Sequence, residues 1–267
     1  MDEKVLQSII DELSKGGAIA LVTLTEASGS TPRKNGSIMS VNSEGNIVGS
    51  IGGGSVEAIV INEAIKCINN GKGENFSYDL SEAGKTQMVC GGAVSGYIKV
   101  FNPKPNLIIF GGGHLSQSLC KLTDGMNFRR TVIEDREEFK EYDAFKNVEE
   151  FIVTEDPERV RKINFKDSYI VIVTRGHKSD AKWLREVINE DYKYLGIVGS
   201  KKKSQKLKEI LKEEGVEEDL IKKLYTPIGL DIADGTPPEI AVSILSEILL
   251  VKNNGNLKHM KEVKNGL

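Results

Sequence analysis

Cysteine is scarce: three residues, at positions 67, 90 and 120, in a chain of 267. An odd number at wide spacing excludes a disulfide framework or a zinc ribbon and fits a reducing compartment. A basic surplus is also missing. With 36 Lys and Arg against 39 Asp and Glu, the chain lacks the charge of a general nucleic-acid binder. No stretch approaches the roughly 18 consecutive apolar residues of a membrane helix. The opening MDEKVLQSII carries charge where a secretory leader would carry its apolar run. The expectation is a soluble cytoplasmic protein that engages neither membrane nor nucleic acid. Aromatic residues are few, with one Trp, yet the apolar share of 39% suffices for real cores. The length allows one large domain or two small ones.

What is present falls into two rhythms. Val5, Leu6, Ile9, Ile10 and Leu13 recur at helical spacing, and Gly16-Gly17 stops that helix. AIALVTLTEA reads as a buried strand. SIMSVNSEGNIVGSI reads as a hairpin about Ser43–Asn46. SVEAIVINEAIKCI reads as a helix with Cys67 on its apolar side, and GYIKVF as a strand. NPKPN, residues 102–106, then interrupts, because two prolines cannot continue a strand ladder. Beyond it strands and helices alternate: NLIIF, a glycine turn and LSQSLCKLTDG, then TVIE, EFIVT, DPERVRKI, SYIVIVT, DAKWLREVIN, YLGIVGS, KKKSQKLKEILKEE, YTPIG and PPEIAVSILSEILL. Such alternation predicts a parallel sheet covered on both faces. The expected fold is α/β: a small α+β N-terminal domain (1–102), a linker (103–106), a Rossmann-like doubly wound domain (107–251) and a polar tail (252–267).

FGGGHLSQSL places Gly111, Gly113 and Ser116 in the G-x-G-x-x-G/A positions, after an apolar strand and at a helix start. Asp135 follows the next strand, 24 residues after Gly111, where an acid would meet a ribose diol. Gly113 would let a pyrophosphate approach the backbone, facing the helix N-terminus. The reading is a nucleotide or similar phosphate-bearing ligand; the alternative is a Rossmann-like domain that binds something else or nothing. Arg136, beside Asp135, leaves NAD against NADP open, since arginine hosts a 2′-phosphate.

Two histidines follow neighbouring strands of the expected sheet. His114 opens the first helix after the glycine turn, and His177 follows the fourth strand in VTRGHKSD. Strands one and four flank the switch point, so His114 and His177 are expected at one crevice with Asp180. Three roles compete: orienting a ligand or moving a proton, binding a metal, or capping, with Asp180 as N-cap before AKWL. His259 lies in the tail. In GSKKKSQK, Gly199, Ser200 and Lys201 are anion-site candidates at a helix start; a solvated lysine face is the alternative. Asp231 and Asp234 are candidates for the crevice, while Thr236 and Pro237 read as N-cap and N1. In the N-terminal half, Gly52, Gly53 and Gly54 precede a helix and offer a second anion cradle, with Arg33 from EASGSTPRKNGS nearby. Cys90 precedes Gly91 and Gly92, where it is either a buried filler or a thiol placed for chemistry.

GSTPRKNGSIM, GSIGGGSVE, CGG, FGGGHLSQSL, GHKSD, GIVGSKKK and PIGLDIADGTPPEIAVSI occur in that order. Together they resemble the xanthine dehydrogenase accessory factors of the XdhC/CoxI type, over roughly residues 8–250. The resemblance implies a maturation chaperone. Such a protein binds the molybdenum cofactor (molybdopterin), favours its sulfuration with a cysteine desulfurase and hands it to a xanthine dehydrogenase-type molybdenum hydroxylase. It implies a homodimer of two-domain chains. By position, the family's cysteine before a glycine pair is Cys90, its Rossmann glycines are Gly111 and Gly113, and its histidine-to-aspartate pair is His177 and Asp180. Cys90 would then contact molybdenum or carry sulfur, since thiolates suit soft, sulfur-rich centres, and Arg33 or Lys201 would meet the cofactor phosphate. The pattern departs from many relatives at Val89, where they carry a second cysteine, and at Arg175-Gly176, where they carry His and Asp. Two other functions compete: an NAD(P)-dependent oxidoreductase with His177 as proton donor oriented by Asp180, and a non-catalytic nucleotide sensor.

Overall fold

The computed structural model describes residues 2–29, 34–79 and 92–263, with backbone alone at 28, 29, 92, 177 and 178. The chain divides into two compact units, Met1–Lys104 and Pro105–Leu267.

In the first unit, α1 (Asp2–Ser14) buries Val5 and Ile9 and is followed by Gly16 in the left-handed region. The sheet runs β3-β2-β1-β5-β4 among the described residues, from β1 (Ile19–Gly29), β2 (Ile38–Asn42), β3 (Ile47–Gly49), β4 (Glu74–Asp79) and β5 (Gly92–Phe101). Every pairing is antiparallel. The β2–β3 hairpin turns on Asn42, whose Oδ1 accepts from the N–H of Glu44 (3.1 Å) and Asn46 (2.9 Å). This is the local side-chain mimicry that makes Asn a turn residue. Ala20, Val22 and Leu24 alternate onto one face of β1. There they meet Val56, Val60, Ala64 and Cys67 of α2 (Gly54–Asn70). Cys67 is a core filler, and burial pushes its thiol pKa up.

The second unit contains β6 (Asn106–Phe110), α3 (His114–Leu122), β7 (Arg129–Glu134), β8 (Glu150–Val153), α4 (Pro157–Val160), β9 (Ser168–Ile172), α5 (His177–Val187), β10 (Tyr192–Ile197), α6 (Lys201–Glu213), α7 (Glu218–Lys223) and α8 (Pro237–Asn253). All its pairings are parallel, in the order β10-β9-β6-β7-β8. Numbered within this unit the order is 5-4-1-2-3, the Rossmann arrangement, with its reversal between β6 and β9. The fold is therefore mixed α/β, an antiparallel-sheet unit followed by a Rossmann domain.

Period-two alternation divides β6 between two cores. Ile108 and Phe110 pack with Trp183, Leu184 and Val187 of α5. Leu107 and Ile109 pack with Leu119 of α3 and Ile244 and Ile248 of α8. Each of these fully buried side chains contributes about 2 kcal/mol of burial. The expected strand YTPIG is reduced to one parallel bridge, Tyr225 to Gly196. Pro227 has no N–H with which to extend a ladder. No helix among the described residues is long and apolar enough to cross a membrane.

Candidate functional site

A cleft of about 280 Å³ opens at the C-terminal ends of the parallel strands. The position follows from topology: connections after β6 and β9 leave on opposite faces, so a crevice forms between them. Gly111 comes to it from β6, Glu134, Asp135 and Arg136 from β7, and Thr154 and Glu155 from β8. Thr174, Arg175 and Gly176 enter from the turn after β9, and Ser179, Lys182 and Trp183 from α5.

Glu134 organises the β7 side. Its side chain is only 2% exposed and saturates its lone pairs. Oε2 accepts from the N–H of Gly112 and from Arg136 Nη2 (3.1 Å). Oε1 accepts from the N–H of Asp135 (3.1 Å) and Arg136 (3.3 Å) and from Arg136 Nε (2.7 Å). Burial alone would raise its pKa; hydrogen bonds from Arg136, Asp135 and Gly112 outweigh burial and hold it at about 2. Asp135 is the more exposed acid and pairs with Arg136 at 3.4 Å. Its pKa is raised, first by its hydrogen-bonded contact with Glu134 and then by burial. Phe139 lies under the Arg136 guanidinium, 3.7 Å from ring centroid to Cζ.

The three glycines of the turn do different jobs. Gly111 has φ +109, and a Cβ there would meet the Val173 carbonyl oxygen at 2.7 Å, so the fold itself demands glycine. Gly112 gives its N–H to Glu134. Gly113 is the N-cap of α3 with φ −65, and a Cβ there would enter open space. Gly176, the N-cap of α5, has the same freedom. Ser116, in the third motif position, is buried.

Of the two histidines, His114 sits exposed at the start of α3 and outside the cleft lining, while His177 is the first residue of α5, next to the lining residue Gly176. The N-cap role weighed for Asp180 is corrected: α5 begins three residues earlier, behind Gly176. Asp180 is instead buried in the first turns of α5. Its Oδ1 accepts from the N–H (3.1 Å) and hydroxyl (2.6 Å) of Thr174, which ties the β9–α5 turn to the helix.

A second cavity of about 360 Å³ lies beyond α5, on an apolar floor that includes Ile197, Val198 and Leu207. Gly199 lines it, with Lys203 and Lys206 rather than Lys201. Ser200 caps α6, its hydroxyl accepting from the Lys203 N–H at 3.4 Å. Asp231 and Asp234 are exposed and line neither cavity. Thr236 and Pro237 are the N-cap and N1 of α8.

In the first unit the cradle expected at Gly52–Gly54 already faces a carboxylate. Glu57, in the first turn of α2, accepts from Ser50 Oγ (2.6 Å) and from the N–H of Ile51 (3.0 Å) and Gly53 (3.1 Å). Gly52 donates to Ser50 Oγ (3.1 Å). Burial would raise the Glu57 pKa, but the Ser50 and backbone hydrogen bonds lower it overall. Arg33, Cys90 and Gly91 lie outside the described residues; Gly92 begins β5. Among the described residues no group of three or more His, Cys, Asp or Glu is placed to hold a metal ion.

A profile of the XdhC Rossmann domain matches residues 107–248, and one of the XdhC and CoxI family matches residues 13–79. The chain belongs to the XdhC family. One relative is the uncharacterized protein YqeB of Escherichia coli (strain K12), 32% identical over 243 residues, 88% of this chain and 44% of that protein. Another is a probable xanthine dehydrogenase subunit of Bacillus subtilis (strain 168), 25% identical over 154 residues, 57% of this chain and 44% of that one. The chain thus spans less than half the length of these curated relatives. A crystal structure of a xanthine dehydrogenase from Bacillus halodurans shares the fold: TM-score 0.51 at 21% identity, covering 94% of this chain and 96% of that one. Within this XdhC-family chain, reasoning from sequence missed Glu134, Glu57, Thr174, Lys182 and Trp183. Glu134 carried a usable signal, since it lies 23 residues past Gly111 and fits the glycine-to-acid spacing as well as Asp135 does.

Proposed function

We propose that this XdhC-family protein is an accessory factor for a molybdenum hydroxylase of the xanthine dehydrogenase type. In this reading it binds the molybdenum–pterin cofactor, supports its sulfuration with a cysteine desulfurase, and delivers it to the apoenzyme as a homodimer. The observation that carries the reading is the XdhC Rossmann match over residues 107–248. The fit of the chain to a phosphate-bearing group is supported by Gly176, where a Cβ would enter open space beside Arg175 and Lys182 in the cleft lining.

When bound, the cofactor supplies the metal–sulfur chemistry that the hydroxylase uses. This chain's own contribution is to bind, orient and release. Arg175 and Lys182 offer positive charge to a phosphate, and Asp180 holds the turn that carries Arg175 through its bonds to Thr174. Cys90 is the proposed thiolate contact, either to molybdenum or to a transferable sulfur, because a soft ligand suits both. Release requires finite affinity, which a single thiolate favours over a closed multi-ligand site.

Metal and pterin analysis of the protein purified from a cofactor-producing host tests this. Molybdenum and pterin are expected to copurify, and Cys90→Ser is expected to lower retention about tenfold. Retention unchanged in Cys90→Ser removes the thiol from the reading. Absence of both molybdenum and pterin, together with hydride exchange from bound NAD(P)H, replaces it with an oxidoreductase.

A further inference from the structure

The Rossmann cleft has two electrically different ends. At the β7 end, two carboxylates face one guanidinium: Arg136 Nε lies 2.7 Å from Glu134 Oε1 and 3.4 Å from Asp135 Oδ1. The sum is one negative charge. At the α5 end stand two cations, Arg175 and Lys182. Neither has an ion-pair partner among the described residues; the Lys182 Nζ donates to the Glu155 backbone carbonyl. Glu155, the remaining acid of the lining, pairs with neither.

The glycine turn after β6 reaches this cleft only through Gly111. The Gly112 N–H, which elsewhere would be free for an anion, is held by Glu134. Gly113 and His114 do not line the cavity. A phosphate placed there would compete with a buried carboxylate for the same donor and would be repelled by it. At the β9–α5 turn the opposite holds: these two cations, Ser179 and Gly176, with open space where a Cβ would stand, all line the cavity.

The β7 end offers different chemistry. Phe139 covers one face of Arg136, and Glu134 fixes its Nε/Nη2 edge, so the guanidinium is a rigid plane at the cleft wall. Such a plane stacks on a heteroaromatic ring. Asp135 beside it, more exposed than Glu134, can accept from a ribose diol.

We infer that the cleft takes a nucleoside diphosphate with an unphosphorylated ribose 2′-hydroxyl, its phosphates seated against Arg175 and Lys182 rather than on the Gly111–Gly113 turn. The base stacks on Arg136 and the diol meets Asp135. A 2′-phosphate would bring further negative charge to the end that already carries it. The accessory role proposed above offers the same Arg175 and Lys182 seat to the cofactor phosphate, so the two ligands compete for it and either can bind without the other.

Trp183 is the only tryptophan of the chain and lines this cleft, so its fluorescence reports occupancy there. The full chain is titrated with ADP, NAD+ and NADP+. ADP and NAD+ are expected to change the Trp183 emission saturably, with NADP+ at least tenfold weaker. Comparable affinity for ADP and NAD+ assigns recognition to the shared ADP moiety; NAD+ tenfold tighter assigns a dinucleotide, still on the same phosphate seat. Arg175→Gln and Lys182→Gln are each expected to weaken ADP about tenfold, while Gly113→Ala stays within twofold. Asp135→Asn is expected to raise NADP+ affinity towards that of NAD+. Loss of binding in Gly113→Ala with unchanged Arg175→Gln and Lys182→Gln overturns the phosphate placement. Equal NADP+ and NAD+ affinity in the unaltered chain overturns the 2′-hydroxyl selectivity, and no response to any of the three overturns the nucleotide. Molybdenum and pterin retention, measured on the same preparations, judges the accessory role separately.

Discussion

At the scale of single residues, Glu134 and Gly111 carry the largest expected effects. Glu134→Gln keeps the shape but removes the nearer of the two Arg136 counter-charges, leaving only Asp135 at 3.4 Å, and sets an amide N–H₂ against donors. Breaking one side of a buried, hydrogen-bonded pair costs on the order of 3 kcal/mol, read as a lower midpoint in urea. The pH dependence has a definite sign. The folded-state pKa of Glu134, about 2, lies below the ordinary 4.5. Its stabilisation is therefore fully present above about pH 4.5 and is lost as pH falls towards 2. Urea unfolding across that window is expected to show a shallower acid slope in Glu134→Gln than in the unaltered chain. Gly111→Ala is expected to destabilise by at least about 2 kcal/mol, because it combines a positive φ with a Cβ 2.7 Å from the Val173 carbonyl oxygen. Thermal melts of the Gly111→Ala and Gly113→Ala proteins should separate clearly, with the latter costing under about 1 kcal/mol.

At the scale of elements, regular pattern was readable and tertiary decisions were not. Two β-rich runs around the turn residues 43–46 announced the β2–β3 hairpin, and alternating strands and helices announced the parallel sheet. The spacing of apolar residues placed Cys67 and Cys120 inside helices, where both are buried. The sixth strand was overestimated, because YTPIG is apolar enough for a strand but Pro227 stops its ladder. β4 and the short α7 lack the strong periodicity that would have declared them. For the site, glycine spacing located the cleft but not its electrostatics. Whether a glycine N–H faces a ligand or the chain's own carboxylate depends on a contact 22 residues away in one case and four in the other. Glu57→Gln tests the nearer one. It weakens the anchoring of residues 50–53 and is expected to cost about 1 kcal/mol, with faster amide exchange at Ile51 and Gly53 than in the unaltered chain.

At the scale of the molecule, two units of separate core follow one another along the chain. The second has a doubly covered sheet and its own hydrophobic core on each face. Residues 105–267 produced alone are expected to fold, with far-ultraviolet dichroism of mixed α/β type and a single cooperative urea transition. A non-cooperative, featureless profile would refute that independence. Composition bears on this scale only as an expectation: few cysteines and no basic surplus argue against a disulfide scaffold or a nucleic-acid module. It said nothing of how the two units divide their work.

The loop that precedes α2 has a consequence for engineering. Its donors close on Glu57, the side chain at the start of the helix that the loop itself introduces. Residues 50–57 thus carry their own acceptor for the loop's donors within eight positions. Grafted ahead of a helix in another scaffold, the segment would bring the hydrogen bonds of its turn with it and ask of its host only an apolar surface for Ile51 and Val56.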